Sequence, residues 1–385
     1  MLTRYYGSKS AGGHQAYIRN ISSFLIRSYD EVTIIAQKQN SPFAEAAPGS
    51  EKQINIIRVP FIDLPLLNIC TLIFSFAIAL RKNRRNFDVF VTHQILPALA
   101  ASLAGVRPHI YTHHGFMYEH IKSKPARNVY FLLEYMFIRV FGRGLDCAIA
   151  VDLESSHRLQ KHKIPTKMIP VYVDECKFNQ QISGEGILHR YNLKDNIVVL
   201  SPKMFYRISG LEDIVRAFWI NSQIFGNARL LLVGDGPLKS NLVKLVNHLG
   251  LENKVIFAGV MPADKMPEVY TASDVVVFNT LGGIQRTALL EAMASGKACI
   301  GTNIPPLNEV LIDHFNGVLV ELNSVKGLSE ALKEVLSDQI VRRRLGIEAR
   351  RTVEARYSSS VALDIRSAYV KVAKKALLGD ISRLC

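Results

Sequence analysis

Several short stretches of this chain place chemistry-bearing residues at the ends of strands or helices. Ser10-Ala11-Gly12-Gly13-His14-Gln15 precedes a helical stretch over 16–28. Paired glycines there let backbone N–H groups approach an anion, and the helix dipole adds a favourable field, although Gly-Gly is equally an ordinary turn. His93 closes a strand predicted over 88–92, and His114 follows one predicted over 109–112, just before Gly115. Both stand at the carboxyl ends of parallel strands, where open α/β sheets bind ligands. One such histidine is commonly structural; two from separate strand ends point to a site. In the second half, residues 231–237 run a strand into a tight turn at Gly234, and residues 255–260 form another strand ending at Gly259 and Val260. Thr280-Leu281-Gly282-Gly283 then leads into a short helix beginning at Thr287 and stopped by Gly296, a second place for phosphate at a helix start. Glu291 is an acid in that mostly apolar helix. It is either an exposed-face residue or a carboxylate that accepts hydrogen bonds from sugar hydroxyls.

The elements that must position these residues repeat one pattern: a short β-rich run, a glycine or polar turn, then a longer helical stretch. The runs lie at 32–36, 54–59, 88–92, 109–112 and 147–151, and again at 197–200, 229–233, 255–257, 275–278 and 298–301. Apolar runs rich in Val and Ile suit strands buried on both faces, and their alternation with helices implies parallel sheets. Two successive series predict two doubly wound α/β domains, joined over 170–186 where periodicity stops. The first strand reads as cut short, since only Met1, Leu2 and Thr3 precede Arg4. It is either formed by very few residues or continues upstream.

The chain has 385 residues, 48% hydrophobic and 21% charged, which excludes disorder and collagen-like architecture. Lysine plus arginine is 47 against 33 acids, a net charge of +14, so the surface attracts something anionic: nucleic acid, a phosphorylated substrate or an acidic lipid surface. Nucleic acid ranks last, because aromatics are not interleaved with the basic clusters. Five scattered cysteines show no metal or C-x-x-C spacing, so a reduced, cytoplasmic protein is the simplest reading. No secretory signal opens the chain. Residues 64–80 carry no charge and are followed at once by Arg81, Lys82, Arg84 and Arg85. At the lower edge of the ~20 apolar residues that a span needs, this segment reads first as a core helix on a sheet, and second as a helix lying on a membrane surface. Residues 130–140 add another apolar helix, expected to be buried against the sheet.

Taken in order, these stretches resemble the family-4 retaining glycosyltransferases (glycosyl transferases group 1), whose GT-B fold has two facing Rossmann-like domains and a cleft between them. The resemblance is strongest from about Leu200 to Tyr357. It rests on Gly12-Gly13-His14-Gln15, Thr112-His113-His114-Gly115, Ile169-Pro170 with Val173-Asp174 and Phe178, Gly234-Asp235-Gly236-Pro237, Leu290-Glu291-Ala292-Met293-Ala294-Ser295-Gly296-Lys297, and Asn308-Glu309 followed by Asn316-Gly317. It implies an acceptor-side domain over 1–175, a nucleotide-sugar domain over 186–360 and a segment over 361–385 crossing back to the first. It implies that Glu291 holds the ribose hydroxyls, that Gly283, Ile284, Gln285 and Thr287 lie near the diphosphate, and that Val260 borders the base. Gly12 and Gly13 would close over the donor, with His114 beside the transferred sugar. No metal or other cofactor is expected.

Two departures from the family pattern stand out. Gly283 occupies the place of the first of two glutamates eight positions apart, of which Glu291 is the second. In Ser201-Pro202-Lys203-Met204-Phe205-Tyr206-Arg207-Ile208-Ser209-Gly210, Lys203 matches the family's arginine, and Arg207 is the nearest replacement for a lysine missing beside Gly210. The expected function is therefore metal-independent, hexosyltransferase-type transfer from a nucleotide diphosphate-sugar to an acceptor hydroxyl, with Lys203, Arg207 and His114 as catalytic groups. The net charge and the 64–80 segment fit a lipid-linked saccharide acceptor and a peripheral place on the cytoplasmic membrane face. The competing reading is a non-catalytic GT-B protein that binds a nucleotide-sugar or supports an active partner subunit.

Overall fold

A computed structural model describes residues 1–3, 13–28, 30–38, 54–62, 67–115, 124–281 and 286–378. By internal contact the chain divides into two units: Met1–Ser10, Ile18–Val171 and Ser360–Cys385 in the first, Ala11–Tyr17 and Tyr172–Ser359 in the second.

In the first unit the elements run β1 (Leu2–Thr3), α1 (Gly13–Arg27, in this unit from Ile18 onward), β2 (Thr33–Gln37), β3 (Asn55–Val59), α2 (Leu67–Asn83), β4 (Phe90–His93), α3 (Ile95–Ala104), β5 (His109–His113), α4 (Lys124–Met136), β6 (Cys147–Ala150), α5 (Leu153–Lys161) and β7 (Thr166–Met168). The strands form one all-parallel sheet in the order β3-β2-β1-β4-β5-β6-β7. Strands β4, β5 and β6 are buried along their whole length, and their sequences do not alternate apolar with exposed positions; β6 is wholly apolar, while His93, His109 and His113 stand buried at the ends of β4 and β5. The short first strand is a real element: β1 sits between β2 and β4, where the strand order reverses. Strand β7 escapes sequence reading because Thr-Lys-Met carries no strand pattern; backbone pairing with β6 alone defines it.

Helix α2 buries Leu72, Phe76 and Leu80 at four-residue spacing in the core that it shares with α3. The core-helix reading of residues 64–80 therefore describes its inner face, and no described helix is long and apolar enough to cross a membrane. The expectation that residues 130–140 are buried against the sheet holds for one side only. Helix α4 gives way to a π-helical turn over Phe137–Phe141, and only one side is covered. Tyr130, Leu133, Phe137, Ile138 and Phe141 pack on the core, whereas Leu132, Tyr135, Met136 and Val140 face solvent. The run is apolar but for Glu134 and Arg139, and packing covers only its Leu133–Phe137–Ile138 side.

The second unit runs α6 (Glu185–Arg190), β8 (Ile197–Pro202), α7 (Leu211–Ser222), β9 (Ala228–Val233), α8 (Lys239–His248), β10 (Val255–Gly259), α9 (Met266–Thr271), β11 (Val275–Phe278), α10 (Arg286–Ala294), β12 (Ala298–Thr302), β13 (Val318–Val320), α11 (Val325–Ser337) and α12 (Gln339–Arg356). Its parallel sheet has the order β10-β9-β8-β11-β12-β13. The order reverses between β8 and β11, so the crevice rule places a ligand at the carboxyl ends of these two strands. The linker before α6 is pinned within the unit: Val173 N–H donates to Tyr357 O at 2.9 Å, and one Arg350 Nη1 donates to Phe178 O at 2.7 Å and Ala294 O at 2.6 Å. The last helix, α13 (Ser359–Leu377), belongs from Ser360 onward to the first unit, where Arg366 grips Asp30 through Nε at 2.6 Å and Nη2 at 2.9 Å.

Candidate active site

At the carboxyl edge of the second sheet, neighbouring loops are tied to one another by backbone hydrogen bonds. Gly234 N–H donates to Gly259 O at 2.8 Å, Phe205 N–H to Asp235 O at 2.9 Å, and Leu281 N–H to Ile208 O at 2.9 Å. Side chains add to this: Asn279 Nδ2 donates to Gly210 O at 3.0 Å and Thr280 Oγ1 to Ile208 O at 3.2 Å. The loops after β8, β9, β10 and β11 therefore form one connected rim. Gly234 has to be glycine: its φ is +145°, and a Cβ there would run into the Lys203 carbonyl.

The sequence-predicted residues distribute over this rim unevenly. Arg207 is exposed on a 3₁₀ turn over Arg207–Ser209, and Val260 is exposed just beyond Gly259. Lys203 lies one residue past β8 but is only 4% exposed, and its Nζ donates to Ser209 O at 2.9 Å. Burial holds that amine well below the usual lysine range, because a charge taken out of water is disfavoured. Thr287 and Glu291 are both buried on α10, so the exposed-face reading of Glu291 is set aside. Tyr270 Oη, from α9, shares its proton between Glu291 Oε2 at 3.1 Å and Ala288 O at 3.2 Å. Burial and then the Glu291 charge push the Tyr270 phenol well above its ordinary value, so it stays a neutral donor to the carboxylate. Gly12, Gly283, Ile284 and Gln285 lie outside the described residues, and Gly13 is the first residue of α1.

In the first unit, both singled-out histidines stand at the carboxyl edge, as strand-end logic requires. His93 ends β4, fully buried, and its Nδ1 lies 3.0 Å from Nε2 of His114, just after β5. Their neighbour His113 points elsewhere. Its Nε2 is 3.0 Å from Glu134 Oε1 on α4 and its Nδ1 is 2.9 Å from Ser155 Oγ on α5. All three groups are buried, so this chain of a hydroxyl, an imidazole and a carboxylate fastens α4 and α5 to β5 rather than meeting a substrate.

Sequence reasoning missed two features of the rim. Arg286, 4% exposed at the head of α10, forms an ion pair with Glu309 at 2.6 Å (Nη2 to Oε2), in the 3₁₀ turn that follows β12. The only available signal was Asn308-Glu309 as a motif, which names the acid without its partner. Lys239, the first residue of α8, lies 3.4 Å from Asp235 and brings a further cation next to the Gly234–Gly236 turn.

Known proteins align with both halves. The model for glycosyl transferases group 1 matches residues 189–352, and that for glycosyltransferase family 4 matches residues 11–175. The N-acetyl-alpha-D-glucosaminyl L-malate synthase of Bacillus anthracis is 27% identical over 287 residues, covering 72% of each chain. An Escherichia coli enzyme, UDP-Gal:alpha-D-GlcNAc-diphosphoundecaprenol alpha-1,3-galactosyltransferase, is 29% identical over 268 residues, covering 67% of this chain and 68% of its own. The sucrose-phosphate synthase of Thermosynechococcus elongatus superposes with a TM-score of 0.78 at 22% identity, over 96% of this chain and 97% of its own. Two parallel Rossmann-like units, each recognised by its own model and in that order along the sequence, place this chain in the group 1, family-4 glycosyltransferases of GT-B fold.

Proposed function

We propose that this chain transfers a hexose from a UDP-sugar to a hydroxyl of a lipid-linked saccharide, with retention of anomeric configuration and without a metal ion. The observation that carries the donor half is the hydrogen-bonded rim at the strand-order reversal of the second sheet, beside which the buried carboxylate of Glu291 is held by Tyr270. The E. coli relative, whose name gives a UDP-linked donor and a diphosphoundecaprenol-linked acceptor, supports both the base and the acceptor class.

In this reading Glu291 accepts hydrogen bonds from the ribose hydroxyls. Arg207 and the start of α10 face the charge that grows on the departing diphosphate, where preorganised donors are worth most. The sugar C1–O bond to phosphate breaks while the acceptor oxygen forms its bond to C1 on the same face, and the acceptor proton passes to the leaving phosphate oxygen. His114, linked to His93, would orient hydroxyls of the sugar being transferred. The test is a donor panel with a polyprenyl diphosphate-linked GlcNAc acceptor in excess EDTA, with product anomers assigned by NMR. Transfer from UDP-sugars giving the retained anomer is the expected result. Sugar transfer that stops in EDTA and returns with manganese overturns the metal-free part, and an inverted product overturns retention. Donor binding with neither transfer nor hydrolysis overturns catalysis itself.

A further inference from the structure

On the first unit, away from the strand ends just described, a cavity of about 260 Å³ is lined by Ile138, Arg139, Arg143, Lys161, His162 and Lys163. Ile138 is buried and forms an apolar wall, while the four cations are exposed around it. No acid lines this cavity. The acids nearest in sequence are engaged elsewhere: Glu134 lies 3.0 Å from His113 Nε2, Asp146 accepts from His109 N–H at 2.7 Å, Asp152 caps α5 by accepting from Ser155 N–H at 2.7 Å, and Glu154 pairs with Arg158 at 2.8 Å.

Two separate elements bring the charges together. Arg139 and Arg143 come from the turn that precedes β6, and Lys161 and Lys163 from the end of α5 that precedes β7. The cavity thus sits at the amino edge of the sheet, opposite the carboxyl edge that carries His93 and His114. Cations at a helix C-terminus can be explained by the helix dipole alone, which covers Lys161 and Lys163. Arg139 and Arg143 likewise stand in the last turns of the π-helical and 3₁₀ segments, so the dipole favours a cation on each element; it does not by itself set four cations around one apolar-walled cavity with no acid among its lining residues. Lys163 also holds φ of +59°, a left-handed position that glycine fills more cheaply, so a side chain is kept there against a backbone cost.

Ile138 and Arg139 of the lining belong to the π-helical turn that prolongs α4, and one side of these two elements is uncovered. Arg139 stacks its guanidinium over the Tyr135 ring at 5.1 Å, and Val140 and Leu132 next to it are 63% and 55% exposed. Basic groups beside exposed aliphatic and aromatic side chains are what a segment needs to lie at the boundary between headgroups and acyl chains.

We propose that this cavity binds the phosphate of an anionic phospholipid headgroup, with the exposed Leu132–Val140 face of α4 and its π-helical turn seated in the bilayer interface. The inference goes beyond sugar transfer and stands whichever acceptor is used. Sedimentation of the full chain with vesicles tests it, without donor or acceptor, so its outcome is separate from that of the transfer reading. Vesicles of phosphatidylcholine mixed with an equal amount of phosphatidylglycerol are expected to carry the protein down, and phosphatidylcholine alone to leave it in solution. The double variant Arg143→Gln/Lys163→Gln is expected to lose about 25-fold in partitioning, about fivefold for each charge removed. Leu132→Ser/Val140→Ser is expected to lose at least about tenfold through its apolar contact. Circular dichroism confirms that both surface variants fold. Equal binding to both vesicle types, or wild-type binding by the charge variant, overturns the proposal. Release of the protein by inorganic phosphate at matched ionic strength also overturns it, since the cavity would then take a free anion.

Discussion

Replacing Glu291 by Gln separates the clasp on the donor ribose from the fold that supports it. The side chain is 8% exposed, and its Oε2 receives the Tyr270 proton at 3.1 Å. Glutamine is isosteric and its amide oxygen can still accept from Tyr270. The phenol also has Ala288 O at 3.2 Å as an acceptor, so it keeps a partner in the variant. The stability cost is therefore expected to be about 1 kcal/mol or less, the net worth of one neutral hydrogen bond. The donor side loses more. A hydrogen bond to a charged acceptor is worth about 1.5–3 kcal/mol, which at about 1.4 kcal/mol per decade gives a donor KM raised about 10- to 150-fold.

Initial rates with donor varied at saturating acceptor, and calorimetry with UDP alone, distinguish lost binding from lost chemistry. The expected pattern is a raised donor KM and a raised UDP Kd with kcat little changed, the signature of an interaction present before the transition state. Tyr270→Phe should move the same two constants in the same direction by less, because it only loosens the carboxylate. An unchanged donor KM and UDP Kd in Glu291→Gln, with Tm retained, refutes the ribose role and with it the donor orientation in the second unit.

The remaining predictions concern the rim. Burial favours the neutral form of Lys203, so the folded chain gives up that proton at a lower pH than the unfolded chain, where lysine titrates near ~10.4. Between those values the unfolded state holds the extra proton and stability rises with pH, so the Tm of the wild type relative to Lys203→Met should climb as the pH rises towards the unfolded lysine value; a flat difference refutes the burial account. Arg207→Ala is expected to lower kcat about ten- to hundredfold with partial recovery in Arg207→Lys, and an unaltered kcat excludes it from charge stabilisation. Gly234→Ala, with φ of +145° and the Lys203 carbonyl in the way, should cost at least about 2–3 kcal/mol by denaturant titration. Arg286→Ala breaks a pair whose acid is 28% exposed, so its cost should be about 2 kcal/mol, below the ~3–5 kcal/mol of a fully buried pair.

Strand positions were legible because both sheets are parallel and covered, so β8 and β11 announce themselves as Val- and Ile-rich runs and β9 as a Leu-rich one. Strands β7 and β13 were not, since three residues cannot show a period and their place is set by the neighbouring strand. The site was legible where a motif records a local requirement, as at Gly234, whose backbone angle excludes other residues. It was not legible where a role depends on a partner distant in sequence: Arg286 with Glu309, or Tyr270 with Glu291. Residues 130–140 show a further limit. Composition records that a helix is apolar, but only packing shows which of its sides finds a neighbour.

The same distinction changes the chemistry assigned to Lys203 and Arg207. As letters they are two cations within five positions, equally suited to grip a diphosphate. In the fold their settings differ. Lys203 is enclosed, donates to Ser209 O and is biased by burial towards the uncharged amine, so it is suited to holding the Lys203–Gly210 loop in shape. Arg207, four residues on, is exposed on the turn that this loop closes, and a guanidinium keeps its charge across the whole working range of pH. A lysine at the family's arginine position thus trades a planar, permanently charged fork for an internal brace. Under the proposed function, the burden of neutralising a leaving diphosphate would then fall on Arg207, on the backbone N–H groups of the rim and on Lys239 beside the Gly234–Gly236 turn. On that division of labour, Lys203→Met should act mainly on stability and donor affinity, while Arg207→Ala acts on turnover.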